Sequence, residues 1–147
     1  MIALKPGSYS AYFAQAAIYI HQEEYAKAIG ELNKAIALDP VEGVAYVGRG
    51  FIYTREKSKD TAKAVKDFSK VIAGGGPWSA MAYLNRGLVL LDYKQYDNAI
   101  NDFNKAIEFG PRNAQAYLGR GIALALKNQF TRAIEDLNRA IELNPKL

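Results

Sequence analysis

The 147-residue sequence has no cysteine, a single histidine and a single tryptophan. Without cysteine there is no disulfide scaffold and no thiolate metal site. One histidine alone cannot build a zinc site. Apolar runs are short, and none approaches the roughly 18 residues that a membrane span needs. The opening Met1-Ile2-Ala3-Leu4-Lys5-Pro6 lacks the long apolar stretch and cleavage site of a signal peptide. The net charge of +4 is well short of what a dedicated nucleic-acid binder carries. None of these absences fixes a compartment. What is abundant is aromatic: 10 tyrosines and 6 phenylalanines, in a chain that is half apolar, argue against disorder. The length suits one ordinary domain with a core.

Proline is scarce but regularly placed. Pro6, Pro40, Pro77, Pro111 and Pro145 are separated by 34, 37, 34 and 34 residues. A period in this range is the signature of a repeat architecture. Ile36-Ala37-Leu38-Asp39-Pro40 matches Ile107-Glu108-Phe109-Gly110-Pro111 and Ile141-Glu142-Leu143-Asn144-Pro145. Proline cannot continue a helix, so each phrase reads as a helix end. Before it, apolar residues fall at i, i+4 and i+7, as in Ala99, Phe103 and Ala106, or Ala133, Leu137 and Ala140. That is one face of a helix. An earlier helix precedes each, with Tyr46, Gly50 and Tyr53 recurring as Tyr83, Gly87 and Leu90, then Tyr117, Gly121 and Leu124. Ser8, Ser79 and Asn113 stand where N-caps belong. A small residue in mid-helix predicts that a neighbouring helix packs closely there. The unit is helix, turn, helix, turn, over residues 9–42, 43–79, 80–113 and 114–147.

These residues resemble the tetratricopeptide repeat (TPR), whose pattern W-x2-L-G-x2-Y, A-x3-F, P spans 34 residues. The aromatic opener is Tyr12, Tyr46, Tyr83 or Tyr117, followed by the small Ala16, Gly50, Gly87 or Gly121. Ala28, Ala64, Ala99 and Ala133 are each followed four residues later by Leu32, Phe68, Phe103 or Leu137. One column departs: the family's leucine is Gln15, Arg49, Arg86 or Arg120. The resemblance implies an all-α fold, a right-handed α-solenoid of four helix-turn-helix repeats and eight helices, forming a single domain over 1–147.

Repeat two carries two extra residues in its internal turn, around Arg55-Glu56-Lys57-Ser58-Lys59-Asp60, and one more in Gly74-Gly75-Gly76-Pro77. The triple glycine reads as a flexible joint. Residues 2–6 nearly copy 36–40, so 1–8 reads as the tail of a preceding repeat. Ile134 and Ile141 in the last helix would face a fifth unit, and solenoid ends need polar caps. The sequence therefore reads as a section of a longer array, or as one whose uncapped ends meet another chain.

Chemistry is sparse. His21 near Glu24 reads as a solvated helix residue, no nucleophile is partnered by a base, and Gly74-Gly75-Gly76 lacks the following Lys-Ser/Thr of a phosphate loop. The reading is therefore of a non-enzyme, with no catalytic residue, metal or cofactor. Lys59, Lys63, Lys66 and Lys70 form a basic stripe, but Asp60 and Asp67 dilute it and no aromatic ladder accompanies it, which disfavours nucleic acid. Arg49, Arg86 and Arg120 recur in one column, and Asp67, Asp102 and Asp136 in another on the partner helix. Repeat one changes both together, to Gln15 and Glu31. The joint change predicts a structural Arg–Asp pair within each of repeats two to four.

The first helices are apolar nearly all round, which means complete burial or a binding face. In the TPR family these helices line a concave groove. The resemblance places Phe13, Ala17, Val47, Phe51, Met81, Leu84, Asn85, Leu88, Leu118 and Ile122 there. It also denies one family function: the places of the two-carboxylate clamp for chaperone tails hold Phe13, Ala17, Gly48, Met81 and Asn85, with no lysine or arginine. An apolar trough suits an apolar or amphipathic peptide, helical or extended, from a protein partner or from another segment of the same protein. The alternatives are self-association into a homo-oligomer and nucleic-acid binding through the repeat-two lysines.

Overall fold

The computed structural model describes residues 5–55 and 60–146. Its regular structure among these residues is eight α-helices and no strand: α1 (Tyr9–His21), α2 (Tyr25–Leu38), α3 (Gly43–Arg55), α4 (Thr61–Gly74), α5 (Ser79–Asp92), α6 (Tyr96–Phe109), α7 (Ala114–Leu126) and α8 (Phe130–Leu143). The extra residues of the repeat-two internal turn fall mostly at 56–59, outside the described residues, as do Lys59 and residues 1–4. The chain divides after Gly76 into two compact units. In the first, α1 packs on α2, α2 on α3 and α3 on α4. In the second, α5 packs on α6, α6 on α7, α7 on α8, and α5 also touches α7.

Helix starts follow side-chain chemistry in part. Ser8 accepts a hydrogen bond from the Ala11 amide, Asp60 from Lys63 and Asn113 from Ala116, each satisfying an amide that the first turn leaves unpaired. Ser79 does not cap α5; it is the first residue inside the helix and is buried, while Trp78 takes the cap position through its backbone carbonyl. The turns within repeats one, three and four share one geometry. Glu23, Lys94 and Asn128 adopt left-handed backbone at φ near 60°. The next residue's amide then reaches back across the helix end, Glu24 to Tyr19, Gln95 to Leu90 and Gln129 to Leu124, each at 2.9 Å. This is the Schellman closure, here without glycine. Glycine is required elsewhere: Gly75 and Gly76 have φ of 69° and 94°, and the Gly75 amide closes α4 onto Val71 and Ile72.

The core is a column of alanines interleaved with a few large side chains. Ala16, Ala28, Leu32, Ala35, Ala45 and Ile52 fill the first unit, with Tyr9, Tyr12 and Tyr19 leaning on them. Leu84, Ala99, Phe103, Ala106 and Ala116 form a cluster in the second. The glycines of the first helices give way to rings. A Cβ on Gly50 would lie 2.7 Å from Phe68, and one on Gly87 would lie 2.9 Å from Phe103. Phe103 also presses on the following repeat, where a Cβ on Gly119 would come within 2.5 Å of it. So one phenylalanine fills the hollow left by two glycines, one in its own repeat and one in the next.

Tyr9, at the start of α1, is set against this core, and burial, reinforced by the nearby Glu42 and Asp39 carboxylates, pushes its phenol up to about 12. Between the ordinary value near 10 and that value, the folded chain keeps a proton that the unfolded chain has lost, so stability falls as pH rises through that window. Tyr9→Phe should make the fall shallower between pH ~10 and ~12. Urea midpoints of the two proteins measured in parallel check it; identical slopes would refute the assignment.

Candidate functional site

The first helix of each repeat carries the residues in question, and the two units present them differently. In the second unit, α5 sets Met81, Asn85 and Leu88 along one face, and α7 sets Leu118 and Ile122 beside them. Met81, Leu88, Ile122 and Leu126 are exposed and Leu118 is half-buried. The Asn85 amide donates to the Met81 carbonyl at 2.8 Å, so the only strongly polar side chain of the strip is tied to its own helix. In the first unit, Ala17 is exposed, while Phe13 is half-buried and stacked on Tyr9 with ring centroids 6.2 Å apart. Phe51 lies half-buried under the Arg55 guanidinium, 4.6 Å from its centroid, a cation–π contact.

Two of the ten groove residues are not at a surface. Val47 is 5% and Leu84 6% exposed. Leu84 belongs to the core cluster with Phe103. On a first helix the inward face and the open face are one or two residues apart, and these side chains fall on the inward side. In the second unit Met81, Leu88, Ile122 and Leu126 remain exposed and Leu118 half-buried; in the first unit Ala17 is exposed and Phe13 and Phe51 are half-buried.

The arginines beside this face are held by carboxylates. Arg49 donates from Nε and Nη2 to the two oxygens of Asp67, both at 2.8 Å. Arg86 does so to Asp102 at 2.7 and 2.8 Å, and Arg120 to Asp136 at 2.6 and 2.7 Å. The three aspartates are buried. Hydrogen bonding to its aspartate carboxylate raises each guanidinium above its ordinary pKa, partly opposed by burial. Each guanidinium also sits over the tyrosine three residues before it, at 5.5 to 5.7 Å from the ring centroid. In repeat one, Glu31 pairs with Lys34 at 2.8 Å instead. The remaining donor of two arginines crosses to the preceding repeat: Arg49 Nη1 to Asn33 Oδ1 at 2.6 Å, and Arg120 Nη1 to Asn104 Oδ1 at 2.7 Å. These asparagines are legible only as a third recurring column, two residues after the acidic one.

Repeating helix pairs, a small residue facing a ring, and a proline-ended second helix together match the tetratricopeptide repeat family model at residues 9–40, 80–113 and 114–147, about two thirds of the chain. The chain belongs to the tetratricopeptide repeat family. Residues 41–79, with the enlarged turn, lie between the matched segments. No curated protein matches the chain significantly. Among solved structures, a crystal structure of MamA is similar at 25% identity and a TM-score of 0.82, over 97% of this chain and 81% of that one. MamA from Desulfovibrio magneticus RS-1 is 23% identical with a TM-score of 0.81, over 99% of this chain and 80% of the other. PilF of Pseudomonas aeruginosa is 20% identical with a TM-score of 0.83, over 95% and 62%. TPR membership supports a protein–protein interaction scaffold. Among the described residues of this TPR chain, no cluster of His, Asp or Glu could hold a metal ion, and no helix is long and apolar enough to cross a membrane.

The repeat-two lysines are engaged in part. Lys63 pairs with Asp60 at 2.7 Å and lies over the Tyr53 ring, while Lys66 and Lys70 are exposed.

Proposed function

We propose that this TPR chain is a non-catalytic scaffold that binds an apolar or amphipathic peptide along the open face of α5 and α7. The observation that carries this reading is the exposure of Met81, Leu88, Ile122 and Leu126 on two helices that pack together. Exposed apolar strips of this kind mark interaction sites. A helix laying i, i+3/i+4, i+7 anchors across the strip is the partner that fits. Each large apolar side chain it covers would contribute roughly 1.5–3 kcal/mol before ordering costs. In the first unit, taken by itself, Phe13 and Phe51 offer half-buried rings on α1 and α3. Homo-oligomer formation is the alternative partner reading.

Replacing Leu88 and Ile122 together by aspartate should abolish capture of an amphipathic helical peptide, weakening it at least a hundredfold by losing two anchors of about 1.5 kcal/mol or more each. Both side chains are exposed, so circular dichroism should retain full helicity. Unchanged capture with helicity intact would defeat the proposal. Salt titration separates it from nucleic-acid binding, which weakens steeply as salt rises.

A further inference from the structure

We propose that repeat two carries a docking pocket for an acidic–aromatic pair, glutamate followed by phenylalanine, presented by a peptide of a partner protein. The pocket lies wholly within the first unit and shares no residue with the α5–α7 strip, so the inference stands apart from that reading. It is a hollow of about 210 Å³ formed by the α2–α3 connection, α3 and the end of α4. Pro40, Val41, Tyr46, Lys70, Val71 and Gly74 are among the residues that line it. Val41 contributes an apolar side chain that is 90% exposed.

Repeat three shows what fills this place elsewhere in the chain. Repeats two and three pack their helix pairs alike: Arg49 and Arg86 fork onto Asp67 and Asp102, and Gly50 and Gly87 make room for Phe68 and Phe103. In that frame Tyr46 corresponds to Tyr83, Lys70 to Lys105, Ala73 to Glu108 and Gly74 to Phe109. Phe109 stacks on Tyr83 with ring centroids 6.0 Å and planes 12° apart. Its neighbour Glu108 accepts a hydrogen bond from Lys105 at 2.7 Å. Repeats one and four also place a large apolar residue in this column, Leu38 and Leu143, and only repeat two has glycine.

Repeat two keeps the receiving groups and lacks both occupants. A Cβ on Gly74 would meet nothing within 4 Å, so the place from which the Phe109 ring departs in repeat three is open here. The Tyr46 ring is fixed: its hydroxyl donates to the Pro40 carbonyl at 3.3 Å, and the Arg49 guanidinium lies 5.5 Å from its centroid, as Arg86 lies 5.7 Å from that of Tyr83. Lys70 is exposed, and Ala73 stands where Lys105 finds its carboxylate. A phenyl ring stacked on Tyr46 gains more than its buried area alone, and a carboxylate beside it meets the Lys70 ammonium. Ring and carboxylate come from adjacent residues in repeat three, which selects a peptide over a small aromatic acid.

The probe is an acetylated, amidated copy of residues 106–110, titrated into the whole chain to millimolar concentration and followed by NMR. One site per chain is expected, with the Tyr46 ring signals shifting, and alanine in place of the probe's phenylalanine should abolish binding. Gly74→Phe and Gly74→Leu fill the hollow from within and should each abolish binding with helicity retained, because the new Cβ enters open space. Lys70→Gln should weaken the glutamate probe about threefold, the scale of an exposed ion pair, and leave a glutamine version of the probe unaffected. The Leu88→Asp, Ile122→Asp variant should bind the probe as the wild type does, which separates this site from the α5–α7 strip; loss of binding there would place the peptide on the strip and overturn the pocket. Absence of binding to the wild type, or undiminished binding to the Gly74 variants, overturns the proposal. So does hydrocinnamate binding as tightly as the peptide, which would assign the hollow to a small aromatic acid.

Discussion

Arg120→Met is expected to destabilise the chain by about 3 kcal/mol, far more than an exposed ion pair would cost when broken. The reason is what remains. Asp136 is buried with both oxygens committed to the guanidinium, and removing that partner leaves a carboxylate that water cannot reach well. The loss is then the desolvation of one charge rather than the worth of the pair. Replacing both, as Arg120→Met with Asp136→Leu, should recover most of the stability, because apolar side chains of similar volume can fill the place of a buried pair at little cost. Urea unfolding of the four proteins of this cycle gives the answer. Single losses below about 1 kcal/mol, or a double variant no better than the sum of the singles, would show that the pair lies effectively in solvent.

The second large effect contrasts two glycines in the same column. Gly119→Ala should cost about 2 kcal/mol, because the new methyl would overlap Phe103, which is wholly buried and has nowhere to turn. Gly48→Ala should be neutral or stabilising by up to ~1 kcal/mol, since its Cβ meets only ordinary contact with Leu32 and alanine favours the helix. Adding Phe103→Leu to Gly119→Ala should relieve part of the overlap, less the cavity that the smaller side chain leaves. Thermal or urea unfolding of these variants decides it. Equal effects at Gly48 and Gly119 would mean that helix propensity, not the ring, governs the column.

Much of this architecture can be read along the chain. The proline spacing and the i, i+4, i+7 rhythm locate the second helices, because both depend on local chain geometry. The joint change of Arg to Gln and Asp to Glu in repeat one points to the two helices that the ion pairs connect. Three things are hidden. The turns at Glu23, Lys94 and Asn128 adopt left-handed backbone with residues that do not announce it, since the Schellman closure and the packing around it outweigh the missing glycine. The buried state of Val47 and Leu84 depends on where the neighbouring helices lie, and a helix apolar on all sides gives no phase from which to tell its inner face. Ser79 looks like a cap, but Trp78 takes that role after the left-handed Gly75 and Gly76. The division of the chain after Gly76 falls at the triple glycine that interrupts the 34-residue period.

Arg49 and Arg120 each reach in two directions, to an aspartate in their own repeat and to an asparagine in the one before. A repeat built this way carries both halves of its connector, a donor at its front helix and an acceptor at its back. Copying such a segment in the gene copies the means of joining it, so an array can be lengthened by duplication without inventing a new interface. The same economy limits drift. An arginine lost from one unit strands groups in two, which ties the fate of each repeat's sequence to that of its predecessor.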